Sequence, residues 1–146
     1  MAQLSTLDLM RKALIILLIL VAVGVAWIFL FAGTPPWGPR LTLKDAAVSS
    51  IELSWLGTNR TIQASSQCAE VLQTMRQARQ SPVPASPAFG TMTLYYADGT
   101  TNRFFLQPSG RFSSLGIVGD SGDYAISMHQ MLGTFESVGL LTKDTR

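Results

Sequence analysis

The run ALIILLILVAVGVAWIFLFA, residues 13–32, decides the architecture of this chain. It holds twenty consecutive residues without a charge. At about 1.5 Å rise per residue, a helix over them spans roughly the 30 Å hydrocarbon core of a bilayer. A lone segment can cross lipid only as a helix, because hydrocarbon offers no partner to an open backbone. The sequence therefore predicts one N-terminal transmembrane helix over 13–32. Ser5 and Asp8 read as a helix start ahead of the apolar run, and Gly33, Pro35 and Pro36 cannot continue it.

Charge around this run gives it a direction. Arg11 and Lys12 abut its start, while the other flank has no basic residue before Arg40. The positive-inside rule then puts residues 1–12 in the cytoplasm and everything after the helix outside it, with a bacterial inner membrane and a periplasmic domain as the expected setting. Trp27, Phe29, Phe31 and Trp37 gather at the outer end, as an interfacial aromatic belt does. Arg11, Lys12, Trp27 and Trp37 are the expected interfacial anchors. A cleaved signal peptide competes with this reading, since Gly24-Val25-Ala26 offers small residues for cleavage. Cleavage there leaves Trp27-Ile28-Phe29-Leu30-Phe31 as an exposed apolar terminus, so the anchor is the stronger expectation. Ala22 and Ala26 form a small-xxx-small pair through which another membrane helix could pack closely.

The remaining chain has room for one domain, given that domains run from about 50 to 250 residues. Residues 33–40 include the stiff, Pro- and Gly-rich spacer GTPPWGP, and 41–146 form the outer domain. Residues 40–146 carry nine Lys or Arg against eight Asp or Glu, and no polybasic run suited to nucleic acid phosphates. Cys68 is the single cysteine, so neither an intramolecular disulfide nor a multi-cysteine metal site can form.

Within 41–146, Ile51, Leu53 and Trp55 alternate with Glu52 and Ser54, a half-buried strand ending at Gly57-Thr58-Asn59. Ser66 is expected to open a helix with Glu70 in its first turn, where Cys68, Val71, Leu72 and Met75 form one apolar stripe and Arg76 and Arg79 lie at the C-terminal end. SPVPASP, residues 81–87, reads as an irregular loop. Met92, Leu94 and Tyr96 alternate up to Asp98-Gly99, and Phe104 and Leu106 resume the pattern, the signature of a hairpin. A turn at Pro108-Ser109-Gly110 leads to a third strand from Arg111 to Ile117. Asp123 is then expected to cap a helix whose face is Tyr124, Met128, Met131, Leu132, Phe135 and Val138, closed near Gly139. The fold class is α+β: a β-α-β-β-β-α order with a small antiparallel sheet and two helices on one face.

Few residues suggest chemistry. Gly119-Asp120-Ser121-Gly122 resembles the nucleophile segment of trypsin-like proteases, but the chain is too short for that double barrel and its only histidine, His129, follows the serine. His129 lacks a second His or Cys for metal binding and reads as a helix-surface residue. Asn59-Arg60-Thr61 fits a glycosylation sequon. Arg103-Phe104-Phe105 and Arg111-Phe112 interleave cations with aromatics, a pattern suited to a sheet's open face.

These observations give the expectation of a non-enzymatic, cofactor-free, single-pass accessory subunit of a larger integral membrane complex. Its partners would be other membrane subunits, reached through the helix and the outer domain, together with the lipid bilayer and no nucleic acid. Respiratory and photosynthetic electron-transfer complexes commonly carry such subunits, which brace the complex or dock a soluble carrier. A different class of function is a free-standing envelope sensor or ligand-binding module, which requires a concave pocket with converging polar groups.

Overall fold

The computed structural model describes residues 6–31 and 37–142. The first residues of the N-terminal segment, most of the Pro- and Gly-rich spacer, and the last four residues lie outside the described residues, as does the helix start expected at Ser5. The first element is α1, Thr6–Phe31, an unbroken helix of 26 residues. Its length is about 39 Å at the usual rise, and it is long and apolar enough to cross a membrane. From Leu9 to Trp27 its side chains are exposed, including Ala22 and Ala26.

The domain after α1 is built on seven strands: β1 (Val48–Trp55), β2 (Thr58–Ile62), β3 (Arg79–Gln80), β4 (Gly90–Tyr96), β5 (Thr101–Pro108), β6 (Ser114–Gly119) and β7 (Gly122–Ser127). Two helices join them, α2 (Ser65–Met75) and α3 (Met128–Ser137). All strands form one open sheet in the order β2-β1-β4-β5-β6-β7-β3, with every neighbouring pair antiparallel. The expected α+β class and antiparallel sheet hold, but the sheet has three strands more than the sequence suggests.

Each extra strand has a local cause. Leu56 and Gly57 both take positive φ, 47° and 86°. That pair of angles makes a tight hairpin turn matching the twist of the flanking strands, so the chain continues into β2 instead of ending at Gly57-Thr58-Asn59. Arg79 does not cap α2; it pairs with Ala125 in β3, and the helix ends earlier, with Arg76 as its C-cap. Asp123 does not cap the last helix either, and Tyr124 is not on it. Both belong to β7, which follows a two-residue turn at Asp120-Ser121 with Gly122 at φ 120°. The helix starts after Ser127, and its face reduces to Met128, Met131, Leu132 and Phe135, with Val138 as C-cap and Gly139 at φ 73°. At α2 the N-cap is Ala64, so Ser66 and Glu70 lie within the helix without capping it.

One face of the sheet carries the core. Ile51, Leu53 and Trp55 of β1, Met92 and Leu94 of β4, Phe104 and Leu106 of β5, and Leu115 and Ile117 of β6 are buried together with Val71 and Met75 of α2 and Met131 and Phe135 of α3. The register matches: Ile51 sits opposite Leu94, Leu53 opposite Met92, Met92 opposite Phe104, and Leu106 opposite Ile117. Removing these side chains from water stabilises the domain by about 1.5–3 kcal/mol each before chain entropy is charged against them. The two helices touch through a buried hydrogen bond of 2.8 Å between the hydroxyls of Thr74 and Thr134. Leu41 and Leu43, just past the spacer, also enter this core.

The chain that arrives from α1 is fastened to the sheet edge. Leu41 N–H donates to the Ala78 carbonyl at 2.9 Å, and Gln80 N–H donates to the Pro39 carbonyl at 2.8 Å. The Arg79 guanidinium donates to the Gly38 carbonyl at 2.9 Å. Residues 38–41 thereby run antiparallel beside β3, bridging at Arg40 and Arg79.

Candidate functional site

The sheet face opposite the helices is divided in two. Over β5, β6 and β7 the loop 81–87 lies across it as a strap. Gln107 Nε2 donates to the Pro84 carbonyl at 2.9 Å, and Ser81 N–H donates to the Asp123 carbonyl at 3.1 Å. A Cβ placed on Gly116 would come within 2.6 Å of a Val83 methyl, so this glycine lets the strap lie flat on β6. Three prolines in this loop, Pro82, Pro84 and Pro87, give it the stiffness to hold that path. The strap buries Gly116, Ala125 and Gln107 on a face that would otherwise meet water.

The other half, over β2, β1, β4 and β5, has no such cover from the strap. Glu52 and Ser54, Asn59 and Thr61, Thr91, Thr93 and Tyr95, and Thr101 and Arg103 line a groove of about 580 Å³. Pairing brings them together: Glu52 stands between Thr61 and Thr93, and Thr93 between Glu52 and Arg103. The Tyr95 hydroxyl donates to Glu52 Oε2 at 2.8 Å. That bond, then burial, raises the Tyr95 pKa above the ordinary phenol value, because ionisation would set a phenolate against the carboxylate. Arg103 lies 5.4 Å from the centroid of the Phe105 ring, which is 43% exposed at the groove's edge. The surface thus offers hydroxyls that donate and accept, the Glu52 carboxylate, the Arg103 guanidinium and an aromatic margin, with Arg60 also on its border and donating to the Gly139 carbonyl. It suits recognition of a polar surface by many directed hydrogen bonds.

The residues singled out in the sequence fall in different places. Arg103 and Phe105 are on the open face as expected; Arg111 is in the turn between β5 and β6, because the third strand starts only at Ser114. Asn59 and Thr61 of the sequon belong to the groove. Ser121 is exposed in the β6–β7 turn, where its carbonyl accepts a hydrogen bond from the Tyr124 hydroxyl at 3.2 Å. His129 is exposed on α3. Cys68 is buried, its Sγ 3.6 Å from the Ile62 carbonyl, and burial pushes its thiol pKa up, away from the reactive thiolate. Arg11, Lys12 and Trp27 are on α1, and Trp37 is the first described residue after it. Among the described residues no three His, Cys, Asp or Glu side chains gather as a metal site would require.

Sequence reasoning missed Glu52, Thr61, Thr93 and Tyr95 as a group. Their alternation with core residues was visible, but their meeting depends on the β1–β2 and β1–β4 registers. No family profile, curated protein or solved structure matches the chain.

Proposed function

We propose that this chain is a non-catalytic, single-pass membrane protein whose outer domain docks a polar partner surface on the groove between β2 and β5. In this reading α1 crosses the bilayer with Arg11 and Lys12 on the cytoplasmic side, the domain lies outside the cytoplasm, and the partner belongs to a larger integral membrane complex. The observation that carries the proposal is the half-covered sheet: the chain closes one half of its outer face with its own strap and leaves the other half lined by hydrogen-bonding side chains. A typical protein interface carries about ten direct hydrogen bonds, and this lining supplies both donors and acceptors for them.

A second reading, a membrane-anchored receptor for a small polar ligand, is favoured by the groove's volume, about 580 Å³, which falls in the usual range for small-molecule sites. One experiment separates the two. Tagged full-length protein is purified in mild detergent beside Thr93→Arg and Arg103→Glu variants. Stoichiometric recovery of membrane subunits with the wild type, and their loss from both variants, supports docking. Recovery of a folded wild-type chain alone overturns it and leaves the receptor reading. A reporter active only outside the cytoplasm, fused after Arg146, tests the orientation; activity only when fused before Met1 reverses it.

A further inference from the structure

We infer that Arg40, Arg76 and Arg79 form a binding site for the phosphate of an anionic lipid headgroup, which seats the domain's β3 edge on the membrane surface. The inference rests on α1 being a membrane anchor, but not on its direction.

These three arginines, with Gln73 and Gln77, line a hollow of about 560 Å³ whose lining contains no carboxylate. They come from two stretches of the chain that the fold brings together, Arg40 from one and Arg76 and Arg79 from the other. Arg40 is on the segment fastened beside β3, Arg76 is the C-cap of α2, and Arg79 is in β3 itself. None of the three is ion-paired among the described residues. Attraction to the negative end of the α2 dipole accounts for Arg76 alone. The mutual repulsion of three guanidiniums is relieved by an anion, and their planar forks match phosphate oxygens two at a time. Arg79 already spends one donor on the Gly38 carbonyl, which fixes its direction and leaves its remaining N–H groups for a ligand.

The location selects a lipid over a free anion. Arg40 follows Phe31, the last residue of α1, by nine positions, so its Cα stays within about 30 Å of the helix end even with the chain fully stretched. Because residues 38–41 are bonded to β3, the edge bearing all three arginines is the part of the domain tethered nearest to α1. Trp37, three residues before Arg40 on the same tether, is 53% exposed. Exposed tryptophan beside arginine is the composition of the headgroup layer. A basic cluster held there by a short tether gains from the negative potential of an anionic leaflet.

The test uses full-length protein in detergent micelles, titrated with phosphatidylglycerol or phosphatidylcholine and read by native mass spectrometry. The wild type is expected to retain phosphatidylglycerol at least tenfold more tightly. Arg40→Gln/Arg76→Gln/Arg79→Gln should weaken that binding roughly a hundredfold, at the usual increment per basic residue. The matching triple Lys variant keeps the charge without the forks and should fall between the wild type and the Gln variant, and Arg111→Gln should change nothing. Should the triple Gln variant fail to fold, Arg40→Gln/Arg76→Gln leaves the Arg79–Gly38 bond intact and is expected to lose at least tenfold. Equal retention of the two lipids, undiminished phosphatidylglycerol binding in a folded Gln variant, or displacement of the lipid by millimolar inorganic phosphate overturns the inference. Alkaline extraction of native membranes keeps the premise separate. Release of the chain refutes the anchor, whereas a retained chain without lipid preference refutes only the headgroup site.

Discussion

Replacing Phe135 by alanine should be the most damaging single truncation in α3. The side chain is fully buried, and its ring meets Trp55 edge to face, with centroids 5.4 Å apart and planes at 60°. Trp55 in turn meets Phe89 at 5.7 Å, so the ring of Phe135 ends a row of three that links α3 to β1 and the start of β4. Removing it loses the transfer free energy of the ring and opens a cavity, together about 3–5 kcal/mol, within which the edge-to-face contact accounts for about 0.5–1.5 kcal/mol. A loss near 4 kcal/mol lowers the melting temperature of a domain of this size by about 15–30 °C. Leu72 shares the apolar stripe of α2 but is only half-buried, so Leu72→Ala should cost about 1–2 kcal/mol. His129→Ala, at an exposed site, should cost under about 0.5 kcal/mol. Near-UV circular dichroism melts of the full chain in mild detergent follow the loss of aromatic packing, to which the buried Trp55 contributes. A Phe135→Ala loss below about 1 kcal/mol, or equal losses for Phe135 and Leu72, would refute the packing described.

Three further outcomes follow from named contacts. Thr74→Val leaves the Thr134 hydroxyl with only its 3.3 Å bond to the Gln130 carbonyl and should cost about 1 kcal/mol, whereas Thr74→Val/Thr134→Val should cost less than the two single changes added, as a double-mutant cycle in denaturant would register. Glu52→Gln should bring the Tyr95 midpoint down toward about 10 in an ultraviolet difference titration. Because the folded pKa is raised, the stabilisation it reports is complete below the ordinary phenol range and lost as pH rises through the folded value; an unmoved midpoint breaks the link to Glu52. Gly90→Ala would set a Cβ 1.9 Å from the Ser54 carbonyl oxygen, forcing β1 from β4, and should cost at least about 3 kcal/mol by denaturant midpoint; a neutral effect would mean the strands are not that close.

What could be read from sequence was what depends on alternation or length. The β4–β5 hairpin was legible because Met92, Leu94 and Tyr96 point one way, Thr91, Thr93 and Tyr95 the other, and Asp98-Gly99 makes the turn. β1 was legible for the same reason. β2 was not, because as an edge strand it buries only Ile62 and shows no alternation. β7 failed for the opposite cause. Tyr124, Ala125 and Ile126 are all buried, with helices on one side and the sheet's outer cover on the other, so the strand lacks a polar face to betray its period. Tyr124, Met128 and Met131 happen to fall at helical spacing, which pulled the expected helix four residues too far toward the N-terminus. Of the groove, Arg103 and Phe105 were recognisable as open-face residues, while the Glu52–Tyr95 bond needed a register that only the folded sheet supplies.

The fastening of residues 38–41 to β3 also sets an order of events during synthesis. β3 has one partner in the sheet, β7, and β7 is the last strand made. Strands β4 to β7 are joined by short turns and pair with their neighbours in sequence, contacts of low separation that form early. β1 and β2 can then add to the free side of β4, but the place of β3 does not exist until residues 122–127 have emerged. Only then can the segment behind α1 be drawn onto the sheet edge. The growing chain therefore sets its far end first and reels in its leash last, so that a nascent polypeptide halted before β7 would keep its ribbon of early strands on a long, slack lead.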